Sequence, residues 1–181
     1  MLTMLAQTAC NTIAPATSVA STNLVEPTKP VEVCPTGTAD LKLLTNTEGG
    51  YCLLYPAEYS TDAANFIVIN PTTGGGDMLG DAWVNINVTD AHGQTAAQVA
   101  DAASEAFSEG FNITQTVIEV DGAQGVIVDG LPGQDSNHQV FFVSNDRLYQ
   151  LTFEPWYPNA SAPTALEDLY KTIIETFHFM S

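Results

Sequence analysis

Positive charge is what this sequence has least of. Four Lys and Arg stand against 21 Asp and Glu in 181 residues, a formal net charge of −17. A nucleic-acid binder must neutralise phosphates with basic side chains, so that class is excluded. Docking on an anionic bilayer through charge is excluded for the same reason. Long apolar runs are missing too: none approaches the ~18 residues that a membrane-spanning helix needs. Histidine is scarce, and His92, His138 and His178 each lack another His or a Cys at ligand spacing. A metal-binding or catalytic His needs such partners, so the three read as surface or helix-terminus residues. No Gly-x-Ser-x-Gly elbow, Walker loop or dinucleotide fingerprint occurs. The glycines of "TTGGGDMLGD" (72–81) have no following Lys and read as a hairpin loop that could shape a ligand rim. No catalytic residue and no cofactor is expected.

The acidity itself implies solubility and self-repulsion. Adaptation to high salt and diffuse attraction of divalent cations are sharper readings, and both stay open.

The chain opens on a short apolar stretch, "MLTMLA", that ends at Thr8-Ala9-Cys10. This resembles the end of a bacterial lipobox, in which small residues precede a Cys whose thiol takes the lipid. Gln7 departs from the usual aliphatic residue, and a basic start is absent. Residues 1–10 are therefore read as the remnant of a lipoprotein signal peptide. Residues 11–38 are rich in Thr, Ala and Pro, with Pro15, Pro27 and Pro30 favouring extended chain. They read as a tether, with Cys10 as its lipid site and an extracytoplasmic, membrane-anchored or cell-surface location as the consequence. The membrane is then reached only through that anchor. In an oxidising compartment Cys34 and Cys52 are most simply a disulfide, since the further ligands of a metal site are lacking.

From residue 39 to 181 the pattern becomes that of a folded domain. "LKLLT" and "YCLLYP" flank the turn "NTEGG". Phe66–Ile69 is an apolar run. In "AWVNINV", Val84, Ile86 and Val88 face one way and Asn85 and Asn87 the other, a half-buried strand. Thr95 caps a helix whose stripe is Ala96, Val99, Ala100, Ala103, Ala106 and Phe107, and which Gly110 ends. Two hairpins follow, turning at Asp121-Gly122 and Asn145-Asp146. The run Val140–Val143 is apolar on both faces and predicts a strand covered on both sides. The closing helix carries Leu166, Leu169, Tyr170, Ile173, Ile174 and Phe177 at helical spacing, capped by Ser161 or Thr164. The sum is α+β: an antiparallel sheet of about six or seven strands with helices packed on it.

This order of elements resembles the PsbP-like fold, an αβα sandwich that includes small bacterial lipoproteins. The residues that carry the resemblance are Gly50-Tyr51 with Tyr55-Pro56, the helix at 95–109, "VFFVSNDRLYQLTF" (140–153) and "IIETFHF" (173–179). Where the family commonly has a Trp after the Pro, this chain has Tyr59 nearby. The resemblance implies a protein that binds or assists assemblies rather than an enzyme, and it carries no catalytic residue across.

Several residues are candidates for contact. In "EPWYPN" (154–159), Trp156 and Tyr157 stand between two prolines, and aromatics held in a loop suit binding hot spots; the alternative is that Trp156 folds back onto the core. Asp129 and Asp135, in "DGLPGQDSNH" with His138, do not match an EF-hand but remain candidates for a cation completed by distant oxygens. Asn87, Asn112 and Asn159 each begin a glycosylation sequon. The expected function is a tethered, non-catalytic domain acting through a protein partner. The alternatives are a structural subunit of a surface filament or layer, self-assembling by strand addition from its N-terminal tail, and a small-ligand or cation binder using the sheet face near Trp83 and Asp77.

Overall fold

The computed structural model describes residues 33–62, 66–68, 82–107, 109–133, 135–157 and 164–180. Cys10, Asp77, Asn159, Ser161 and most of the proposed tether lie outside them. The chain divides into Met1–Pro30, outside the described residues, and Val31–Ser181, which carries every element below.

The seven-stranded antiparallel sheet is present, in the order β3-β4-β5-β9-β8-β7-β6. Its strands are β3 (Ser60–Asp62), β4 (Phe66–Val68), β5 (Trp83–Asp90), β6 (Thr114–Val120), β7 (Ala123–Asp129), β8 (His138–Ser144) and β9 (Arg147–Glu154). The first hairpin is not part of it. β1 (Leu41–Asn46) and β2 (Tyr51–Pro56) form a second sheet with β10 (His178–Phe179). That last strand comes from the stretch read in sequence as helix: α2 (Ala165–Thr176) stops one residue before Phe177, whose backbone is extended.

Alternation explains the layering. On β8, Val140 and Phe142 point into the main core, while Phe141 points to the opposite side with Val126 and Val128 of β7. Helix α1 (Ala96–Glu105) covers that second side through Ala96 and Ala100, whose small side chains allow close approach to the sheet. The main core lies on the other face, under the small sheet and α2, where Tyr51, Leu53, Leu166, Leu169 and Ile173 meet Val84, Ile86, Leu151 and Phe153. The strand expected to be covered on both sides is so covered. Asn85 and Asn87 are exposed, as the alternation of β5 requires.

Both helices begin with a reciprocal capping box, Thr95 with Gln98 and Thr164 with Glu167, which satisfies backbone donors that the first turn leaves free. The expected stripe of α1 runs out early: Ala106 and Phe107 lie beyond the helix and are exposed. Cys34 and Cys52 are disulfide-bonded, with Sγ atoms 2.07 Å apart. This ties residues at the end of the expected tether to a fully buried position of β2. The layers are also linked by Arg147, whose Nη1 donates to Glu48 O at 2.8 Å, and by Tyr149, whose hydroxyl donates to Gly49 O at 3.1 Å.

Candidate functional site: an Asp–His pair beneath an acidic, aromatic hollow

β7 and β8 pair so that Asp129 stands opposite His138, and β8 and β9 pair so that His138 stands opposite Phe153. Directly opposed residues of an antiparallel ladder present their side chains on one face within touching distance. Asp129 Oδ1 and His138 Nδ1 accordingly meet at 2.7 Å, an arrangement in which Nδ1–H donates to the carboxylate. His138 is only 5% exposed, and its Nε2 is buried without a hydrogen-bond partner. Aromatic rings take the place of solvent. Trp156 stacks on the imidazole at 4.1 Å with 23° between the planes, Tyr170 of α2 stands edge-on at 4.8 Å, and Phe153 lies at 6.0 Å.

Trp156 reaches this position because the connection after β9 is tied to the β7–β8 loop. Its backbone N–H donates to Ser136 O at 2.7 Å. The loop has its own anchors. Asn137 is buried, its Nδ2 donates to Leu131 O at 3.2 Å, and its Oδ1 accepts from Gln139 at 3.1 Å. Gly130 starts the loop at φ +84°, and a Cβ there would stand 2.4 Å from Asn112 O, so only glycine fits.

An open-sided hollow of about 550 Å³ lies beside this stack, lined among others by Phe111, Asp129, Leu131, Pro132, Asp135 and Trp156. Glu154 is close by and accepts the Asp135 backbone N–H at 3.3 Å. Burial pushes the Glu154 carboxyl above the usual carboxylate range and the charge of Asp135 adds to this, against the lowering effect of that backbone hydrogen bond. Burial likewise raises the Tyr170 phenol, with the Asp129 charge adding to it. Among the described residues, no Lys or Arg lines the hollow. Carboxylates beside aromatic surface suit the reception of an organic cation. The Nε2 of His138 is sealed inside, and the imidazole touches both the Asp129 carboxylate and the Trp156 ring.

No family model matches the chain, and no curated protein matches it. Among solved structures it is similar to cyanobacterial PsbP (CyanoP) from Synechocystis sp. PCC 6803, with 15% identity, 83% of this chain and 99% of that chain covered, and a TM-score of 0.44. It is also similar to a Pseudomonas aeruginosa protein of unknown function, with 18% identity, 62% and 81% covered, and a TM-score of 0.38.

The structure brings Trp156, Asp129 and Asp135 to one hollow, and there it corrects the reading of His138 as a surface residue. Its place in the register under Trp156 and α2 removes it from solvent. Trp156 itself is 9% exposed and folds back onto the core, while Tyr157 is 53% exposed. His178 sits in β10 rather than at a helix end, with Nδ1 3.0 Å from Asp121 Oδ1. His92 is exposed beside Asp90. Among the described residues, no group of three or more His, Cys, Asp and Glu could hold a metal ion. Trp83 is half-buried on β5, opposite Glu154. Asn112 is exposed, and Asn87 lines a separate polar groove of about 690 Å³ with Asn46, Asp90, Asp146 and Arg147. Sequence reasoning missed Phe111 in the lining of the hollow, Glu154 beside Asp135 and Tyr170 against His138. Strand order gives the pairing of β7 with β8, since sequential strands usually pair, but not the register that sets Asp129 against His138.

Proposed function

We propose that this chain is a non-catalytic binding or assembly domain that works outside the cytoplasm, held on a lipid anchor at Cys10, through contacts with a protein partner. The observation that carries the reading is aromatic surface left open beside the hollow. Phe111 is 48% exposed and Phe107 44%, and their rings pair edge-to-face at 6.4 Å; Tyr157 is 53% exposed. Exposed aromatics of this kind are what partners bury in interface hot spots. The Cys34–Cys52 disulfide supports an oxidising compartment.

Two measurements test this. A photo-crosslinking residue in place of Phe107, in the native host, is expected to trap one discrete protein adduct; the same residue at Glu175, exposed on α2, is expected to trap none. Equal labelling from both positions, or none from either, removes the reading. For the anchor, incorporation of a lipid precursor should be abolished by Cys10→Ala, and a variant still carrying lipid disproves it.

A second reading, self-assembly into a filament or layer, is favoured by one feature. β6 is an outermost strand of the large sheet with Val117 66% exposed, and such an edge can receive a strand from a neighbour. The net charge of −17 per copy opposes it by self-repulsion. Sedimentation of the full chain at high concentration separates the two, since a monomer throughout rejects assembly.

A further inference from the structure

We infer that the hollow between Phe111, Trp156 and the β7–β8 loop is a receptor for a Lys or Arg side chain presented by a basic segment of the protein partner. The inference rests on the protein-contact reading above and names the chemistry of the partner.

Three observations converge on it. First, the lining pairs carboxylate with ring. Asp129 and Asp135 supply negative charge, Phe111 and Trp156 supply aromatic surface, and an alkylammonium or guanidinium group uses both together. Second, Asp129 is held in place yet left open: His138 fixes Oδ1 at 2.7 Å while the Asp129 side chain stays 35% exposed. A carboxylate already oriented loses less freedom on binding. Third, no Lys or Arg among the described residues compensates the negative charge there. Among the described residues, Lys42 donates to Ala57 O, Arg147 donates to Glu48 O, and Lys171 stands 3.8 Å from Asp168. Glu154, desolvated and next to Asp135, gains from any cation brought near. The volume, about 550 Å³, suits a long side chain and its flanking backbone rather than a bare ion. The net charge of −17 draws a basic partner in during encounter.

The test uses the full chain carrying Trp83→Phe, which leaves Trp156 as the lone tryptophan, and a Gly-Arg repeat peptide as probe. Its control is the same peptide with citrulline, which keeps the shape of arginine and removes the charge. Saturable change in Trp156 emission is expected with the arginine peptide alone, weakening as salt rises. Asp135→Asn and Phe111→Ala, both at exposed positions, should each weaken binding roughly threefold, in the range of partly exposed ion pairs and ring contacts. Where Trp83→Phe disturbs the fold, the amide NMR shifts of Leu131 and Asn137 in the unaltered protein carry the same readout. Equal binding of the citrulline peptide, or no effect of either substitution, overturns the inference. So does an Asp135-dependent response to calcium chloride alone, which would make the hollow a metal site. If the peptide fails while the crosslink from position 107 persists, the receptor is wrong and the protein-contact reading stands.

Discussion

Asp129 and His138 face each other across the β7–β8 ladder with 2.7 Å between Oδ1 and Nδ1, and the imidazole is roofed by Trp156 at 4.1 Å. One register position thus joins two neighbouring strands, the connection that follows β9, and α2 through Tyr170. His138→Ala should remove both the hydrogen bond and the stacked ring. The expected loss is about 3 kcal/mol, the range for emptying a buried ring site. His138→Phe keeps the ring and loses the hydrogen bond, so it should lose only about half as much. Urea unfolding of the two variants checks the order, and equal midpoints for His138→Ala and the parent would show that the stack contributes nothing.

Tyr51 gives a prediction in alkali. It is fully buried, and burial pushes its phenol from the ordinary 10.0 up to about 12, with a smaller raising effect from Tyr149 and a lowering one from the Asn46 hydrogen bond. A folded value above the unfolded one means this stability is fully present below pH 10. It is lost as pH rises from about 10 to about 12, because the unfolded chain ionises first. The loss over that window is on the order of 2–3 kcal/mol, at about 1.4 kcal/mol per pH unit. Denaturant unfolding across the window should show the decline, and Tyr51→Phe should make it shallower, the remainder coming from the other raised phenols, Tyr149 and Tyr170 among them. A slope unchanged by Tyr51→Phe assigns the decline to other groups.

The disulfide closes a loop between residues 18 apart in sequence. Restricting the unfolded chain by a loop of that size is worth roughly 3 kcal/mol. Cys34→Ser with Cys52→Ser should lower the melting temperature accordingly, and a reductant should do the same to the parent but not to the double variant. Coincident melting curves with and without reductant would show that the bridge adds no stability.

Asp121 links the β6–β7 turn to the small sheet. It accepts from the Phe179 N–H at 2.8 Å and lies 3.0 Å from His178 Nδ1, while its own φ is +46°. Asp121→Gly suits that backbone better and removes both contacts, so the remaining loss isolates the link. We expect a net cost of about 1 kcal/mol and faster hydrogen exchange at the Phe179 amide. Unchanged exchange there would show that β10 is held by its pairing with β2 alone.

Much of this fold is written in local pattern. The alternation of Val84, Ile86 and Val88 sets which face of β5 is inward, Asp121-Gly122 and Asn145-Asp146 turn their hairpins, and Thr95 caps its helix. The cysteines pair as their count and setting imply. The turns, caps and alternation rest on neighbours two to four residues apart, so the chain alone determines them. The tertiary structure decided what depends on long-range register. The first hairpin left the large sheet to join residues 178–179, because its apolar face is needed as a lid over the main core. His138 went inside because Asp129, Trp156 and Tyr170 arrive there from three other elements. The hollow exists only where those elements meet, and no window of sequence contains it: burial and charge at a point are properties of everything packed around that point.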